Sequence, residues 1–289
     1  MTRVVAEPLG DGLERVWRVD EVLFEAETAF QRLLIARTTH GVTLFCDDER
    51  QSAELSQLVY HEALMVPAFL LAERLERVLV IGSSEGVASQ LAVAAGASTV
   101  DHVDIDRECV EACARHLPYG YTPSELAAAV AGDGAVRVHY ADGYAWVRDL
   151  AATTDGARYD VVVVDLPDEQ ADTDAQHNRL YGAEFLALCK EITTSGGVVA
   201  AQAGCPTLWR NDTLKLAWRR FHEVFGTTVY FGSDEHEWAF LYGRADEVDP
   251  PLVKRLDALP YRPESIDAAT LAGRLVPPHT LVSGTVLGR

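Results

Sequence analysis

A chain of 289 residues, 48% hydrophobic and 24% charged, is long enough for one large domain or a large and a small one, and it has the make-up of a globular protein. Its 25 Lys and Arg against 44 Asp and Glu leave a net charge of −19, which argues against nucleic acid because a phosphate-binding surface needs basic side chains in bulk. A cationic small-molecule substrate or solubility alone would account for such a charge. No stretch approaches eighteen uncharged apolar residues and the N-terminal segment has no apolar core, so no membrane contact and no signal peptide are expected, and the expected compartment is the cytoplasm. The five cysteines, Cys46, Cys109, Cys113, Cys189 and Cys205, form no C-x-x-C pair and no zinc set; they read as free buried thiols, and no metal is expected.

Residues 12–50 alternate apolar and polar side chains in the runs 16–19, 22–24, 32–36 and 42–45, separated by turn signals such as His40-Gly41 and Asp47-Asp48. This pattern predicts a small antiparallel β unit. From 52 to 73 the period becomes helical through Leu55, Leu58, Val59 and Leu64, with Pro67 a perturbation inside or at the end of the run. Strands are then predicted at 77–81, 99–105, 136–140, 160–165, 196–203, 226–231 and 237–242, and helices at 85–95, 106–115, 142–151, 182–193 and 209–224. Such alternation implies parallel βαβ units in a doubly wound α/β sheet, with the last two strands as an antiparallel pair at one edge. Residues 249–289 carry six prolines and little periodicity, which predicts a tail wrapped over the surface. The predicted division is a β domain at 1–52, a Rossmann-like domain at 53–248 and the tail at 249–289.

The most informative segment is Val78-Leu-Val-Ile-Gly-Ser-Ser-Glu-Gly86, answered by Asp104 at the end of the next strand. Glycine after a strand lets a ligand approach the backbone, and an acid at the following strand end can accept hydrogen bonds from a ribose diol. Ser83 and Ser84 stand where a dinucleotide fold would have glycine, and no Lys-Ser/Thr follows. A nucleoside without pyrophosphate is therefore expected, S-adenosylmethionine or a relative.

Five acids need weighing. Asp104 could cap the helix after it, but Asp106 is better placed for that and frees Asp104 for the ribose. Asp142 opens a helix and could be a cap. Asp165 ends the strongest apolar strand, 159–165, in the crevice where open α/β sheets bind ligands. Asp168 puts a second carboxylate three residues on. Together these two could orient an ammonium and take its proton, unless they belong to a plain acidic loop. Glu85 could bind an ammonium or simply favour a helix N-terminus.

Taken in order, several segments resemble the spermidine synthase (polyamine aminopropyltransferase) family. They are Phe24-Glu-Ala-Glu-Thr-Ala-Phe-Gln31, Gln51-Ser-Ala-Glu54 with Tyr60-His-Glu62, Ile81-Gly-Ser-Ser-Glu-Gly86, Val103-Asp-Ile-Asp106, Ala141-Asp-Gly143, Asp165-Leu-Pro-Asp168 and Leu259-Pro-Tyr-Arg-Pro-Glu264. The resemblance implies a Rossmann-like domain of the S-adenosylmethionine-binding type behind a small N-terminal β domain, in a homodimer or higher homo-oligomer. It implies decarboxylated S-adenosylmethionine, or S-adenosylmethionine itself, as alkyl donor to a small-molecule amine. Asp165, Asp168 and Tyr60 would be the catalytic residues. Gln31, Gln51, His61, Gly82, Glu85, Asp104 and Asp142 would bind the donor, Asp142 at the adenine amine. The chain departs from the family at Ser56-Gln57, where an acidic pair is usual, and at Ser233-Asp-Glu-His-Glu-Trp238, which replaces a Pro-Thr-Tyr-Pro-Ser-Gly stretch. The acidic loop 169–178 replaces a Pro-Gly-Pro type gate and would be a lid or a solvated loop. These departures point away from plain putrescine. The rival readings are a small-molecule methyltransferase on the same scaffold and a non-catalytic nucleoside- or polyamine-binding homologue.

Overall fold

The computed structural model describes residues 3–10, 12–154, 156–170, 176–249 and 251–282. The N-terminal part holds six strands. β1 (Arg3–Gly10) and β2 (Leu13–Val19) form a two-stranded ribbon. β3 (Glu21–Glu27), β4 (Arg32–Thr38), β5 (Gly41–Cys46) and β6 (Glu49–Ala53) form an antiparallel sheet in that order. Asp47 and Asp48 link β5 to β6 at φ values of 50° and 69°, a left-handed pair that suits a two-residue hairpin and that aspartate tolerates. Two of these strands lie outside the runs read from sequence. Pro8 and Gly10 break the pattern of β1, and β6 buries the polar side chains of Arg50 and Ser52.

Helix α1 (Gln57–Leu71) is buried on every side from His61 to Leu71 and carries Pro67 in its interior. Proline has no N–H to offer the carbonyl four residues back, and that carbonyl, of Ala63, accepts from the Tyr242 hydroxyl instead. Tyr242→Phe should orphan it and cost about 1–3 kcal/mol in urea unfolding; an unchanged midpoint would show that the hydroxyl contributes nothing.

The central sheet runs β12 (Thr227–Gly232), β13 (Ala239–Arg244), β11 (Thr193–Gln202), β10 (Tyr159–Asp165), β7 (Arg77–Gly82), β8 (Thr99–Asp104), β9 (Val136–Tyr140). The pairs from β11 to β9 are parallel, and β13 runs antiparallel to both β11 and β12. The edge pair is thus as expected, with the later strand inserted inside the earlier one. All seven residues of β10 are buried, which is why its sequence reads as a continuous apolar run and not an alternation. Helices α2 (Val87–Ala94), α3 (Arg107–His116), α5 (Gly143–Ala151), α6 (Ala183–Glu191) and α7 (Asp212–Val224) follow successive strands. Between α3 and β9 lies an unpredicted α4 (Pro123–Ala131). Its signal was present: Thr122 and Glu125 form a capping box and Pro123 occupies the first turn. No helix of the described residues is long and apolar enough to cross a membrane.

The C-terminal segment is more than a surface wrap. It holds short helices α8 (Leu252–Arg255), α9 (Ala268–Arg274) and α10 (His279–Val282). It also buries Leu252, Leu256, Leu259, Ile266 and Leu271 in the core beside α1. Glu62, with no exposed surface, accepts from the Tyr261 hydroxyl at 2.6 Å, the Glu264 and Ser265 amides at 2.7 Å each, and the Ser265 hydroxyl at 2.5 Å. The motif pieces around 62 and 261 are therefore one contact.

Candidate active site

The strand order reverses direction at β7, between β8 and β10, and the crevice beyond their carboxyl ends is where open α/β sheets take ligands. A cleft opens there, walled by both parts of the chain: Phe30, Gln31, Leu44, Cys46 and Gln51 on one side, and the 81–85 turn, 103–106, Cys109, Asp142, Gly143, Asp165 and Trp238 among those on the other. Gly82 is at φ 78° and a Cβ there would stand 2.1 Å from the Asp165 carbonyl oxygen. Only glycine fits where β7 and β10 come this close. Ser83 follows at φ 61°, a left-handed serine held by its amide to the Asp165 carbonyl at 3.0 Å and by its carbonyl to the Gly86 amide at 2.8 Å. A strained residue kept this way at a ligand turn is characteristic of functional sites.

Asp104 ends β8 in the cleft, as expected. Its Oδ1 accepts from the Asp106 amide at 2.8 Å and its Oδ2 from the Ser84 hydroxyl at 2.7 Å, so Ser84 helps fix the direction of the carboxylate. Asp106 caps α3 through the Cys109 amide at 3.1 Å. Its other oxygen accepts from Thr28 and from the Gln31 side-chain amide, at 2.8 and 3.0 Å. Gln31 therefore faces the cleft while tying the β unit to α3. Burial, with Cys109 and Asp106 nearby, pushes the Asp104 carboxyl up to about 7, against the pull of its two hydrogen bonds. A ribose diol donating to it would favour the ionised form and expel a proton. Methylthioadenosine should thus bind more tightly as pH rises from roughly 6 to 8, with proton release seen by calorimetry in two buffers of different ionisation enthalpy. An affinity flat across that range would count against Asp104 as the ribose acceptor.

Asp142 caps a helix and also lines the cleft. Its Oδ1 caps α5 through the Tyr144 and Ala145 amides at 2.9 and 3.3 Å, and its Oδ2 is held by Arg179. Arg179 lies over the Tyr144 ring at 5.2 Å and lines the cleft with His177; neither was singled out in the sequence. Of the acidic loop 169–178, residues 171–175 lie outside the described residues. Glu169 pairs with Arg220 at 2.7 Å, and 176–180 form a 3₁₀ turn.

The other end of the cleft is built by β10 and α1. Asp165 is 9% exposed and its Oδ1 accepts from the Tyr60 hydroxyl at 2.5 Å. Burial raises the Asp165 carboxyl above its usual range, with Glu85 adding to the rise and His61 opposing it. Burial and the Asp165 charge hold the Tyr60 phenol well above 10, so Tyr60 donates. Trp238 stands edge-on to Tyr60 at 5.8 Å and completes the wall, a residue that the sequence marked only as part of a divergent segment. Gly82, Glu85 and Gln51 line the cleft as expected.

Two expected site residues are not among those lining the cleft. His61 is 1% exposed and does not line the cleft. Its Nδ1 is 2.7 Å from the Gln57 carbonyl and its Nε2 is without a hydrogen-bond partner. On a helix its neighbour Tyr60 faces the cleft, so His61 turns away into the core. Asp168 also stands outside the lining, its carboxylate held by the Gln202 amide and by Arg210 at 3.4 Å. Burial raises its carboxyl, while Gln202, Arg210 and His177 pull it back. Neither Gln202 nor Arg210 was expected here, because their pairing with Asp168 spans 34 and 42 residues. All five cysteines are free and buried.

A family model described as the spermine/spermidine synthase domain matches residues 57–231. A polyamine aminopropyltransferase of Prochlorococcus marinus (strain MIT 9313) is 29% identical over 255 residues, 86% of this chain and 82% of that one. Polyamine aminopropyltransferase 2 of Pseudomonas aeruginosa is 30% identical over 263 residues, 84% of this chain and 70% of its own. A crystal structure of spermidine synthase in complex with the transition state analogue AdoDATO is similar in fold, with a TM-score of 0.82 at 18% identity over 98% of this chain and 96% of that one. On a family match running from the first residue of α1 into β12, the chain belongs to the spermine/spermidine synthase family and is a transferase of the aminopropyltransferase-like kind.

Proposed function

We propose that this protein moves the aminopropyl group of decarboxylated S-adenosylmethionine onto the nitrogen of a small amine. The observation that carries the reading is the charge of the cleft's reactive end. Glu85 and Asp165 line it, and among the described lining residues the one arginine, Arg179, is bonded to Asp142 at the opposite, nucleoside end. A tail ending in an ammonium suits this wall. The carboxylate of S-adenosylmethionine would face two acids with no cation to receive it. Asp104 takes the ribose hydroxyls and Asp142 lies by the adenine. Acidic walls stabilise the sulfonium until it reacts.

Asp165 then acts as base. The amine nitrogen forms a bond to the propyl carbon beside sulfur, the carbon–sulfur pair returns to sulfur, and methylthioadenosine leaves. The nitrogen's proton passes to Asp165, whose raised carboxyl is better matched to hold it than an exposed aspartate would be. Tyr60 keeps the carboxylate pointed at the nitrogen. The test is incubation with each donor in turn and a panel of amines. Methylthioadenosine from the decarboxylated donor is expected; S-adenosylhomocysteine from S-adenosylmethionine would overturn the reading in favour of methyl transfer.

A further inference from the structure

Next to Asp165 and Tyr60 stands a second constellation that the transfer chemistry does not use. Gln202 lines the donor cleft and also holds Asp168, so the Asp168–Arg210 pair sits one side chain from the reactive end. Arg210 is 24% exposed and its guanidinium has Asp168, at 3.4 Å, as its single hydrogen-bond partner among the described residues. Its remaining N–H groups have no partner among the described residues and can meet a ligand. Glu49 on β6 faces the same pair; burial and the Asp168 charge push its carboxyl up to about 7 and Arg210 opposes them.

The other acids on this side are engaged. Glu237 is shared by Arg15 and Arg50 at 2.7 Å each, and Glu235 meets Arg50 at 3.2 Å, keeping one oxygen without a partner. Glu7 accepts from the Trp17 indole at 2.6 Å and lies 3.6 Å from Arg15. Ser56, where relatives by resemblance carry an acid, accepts from Arg50 at 3.2 Å. Among the described acids on this side, Glu49 alone is left for a diamine's far ammonium, and burial with the Asp168 charge favours its neutral form. A carboxylate–guanidinium pair with donors to spare is the complement of a zwitterion.

Resting on the aminopropyl transfer proposed above, the geometry points to an acceptor that is an amino-carboxylate, its nitrogen held at Asp168 and its carboxylate at Arg210, with Arg210 the residue that selects it over a diamine. The bonds made and broken are those of the transfer itself, the proton going to Asp165. The experiment measures methylthioadenosine release from the decarboxylated donor with putrescine, 4-aminobutanoate and ornithine, for the wild type and for Arg210→Gln and Arg210→Lys. The wild type should prefer one of the carboxylate-bearing amines. Arg210→Gln should raise KM for that amine by about ten- to hundredfold while changing KM for putrescine much less and leaving the affinity for methylthioadenosine unchanged, and Arg210→Lys should recover part of the loss. A wild type that prefers putrescine, or an Arg210→Gln that weakens all acceptors alike, would overturn the inference and leave the transfer reading intact. Methylthioadenosine released with none of these amines would overturn this choice of acceptor; a wider amine panel, also silent, would overturn the transfer reading as well.

Discussion

Asp165→Asn should lower kcat by about three orders of magnitude while methylthioadenosine still binds with near wild-type affinity. The asparagine keeps the size of the side chain and can still take the Tyr60 hydroxyl on its oxygen, so the cleft should hold its shape. What it loses is the ability to accept a proton, and a positioned general base is worth roughly 10²–10⁴ in rate. The pH profile of the wild type should carry the same group. Because burial raises the Asp165 carboxyl above 3.8, and because only its ionised form can act as base, the rate should fall on acidification through a limb lying above the usual carboxylate range. In Asp165→Asn that limb should vanish. Stopped-flow or coupled detection of methylthioadenosine decides the matter, and a variant retaining a tenth or more of wild-type turnover would remove Asp165 from the chemistry.

Glu62→Ala should be the most damaging change outside the cleft. Glu62 satisfies two backbone amides and two hydroxyls of the C-terminal segment in a place with no exposed surface. Each buried amide left without a partner costs about 1–3 kcal/mol, so a total loss of about 3–5 kcal/mol and a fall in Tm of about 10 °C are expected. Glu62→Gln should lose less, since its amide oxygen still accepts, though its NH₂ then meets donors. Chemical and thermal unfolding of the two variants separates these cases. A shift below about 1 kcal/mol for Glu62→Ala would mean that water reaches these amides.

What could be read in advance follows from locality. The turn from Gly82 to Gly86 and the acid at 104 were legible because strand, turn and strand are contiguous, and Asp165 was legible because a fully buried strand has an unbroken apolar run. The insertion of β13 between β11 and β12 was not, since two short apolar runs in succession look alike whichever lies at the edge. Helix α4 went unread because its alanine-rich body, Pro123–Ala131, has only two buried residues and so a faint stripe. The twofold role of Asp106 and the tie of Asp168 to Arg210 depend on partners brought together by folding. No spacing rule reaches across 42 or 75 residues. The Tyr60-His-Glu62 triplet shows the limit well. Three neighbours in sequence serve the cleft, the core and the C-terminal anchor in turn.

That triplet makes one turn of α1 a shared beam between the cleft and the far end of the chain. A protease that nicked the backbone between Arg255 and Tyr261 would sever no cleft residue, yet it would free the strap that clamps Glu62, two positions from the phenol bonded to Asp165. Inactivation of this enzyme can therefore begin from behind, at a surface no substrate ever sees.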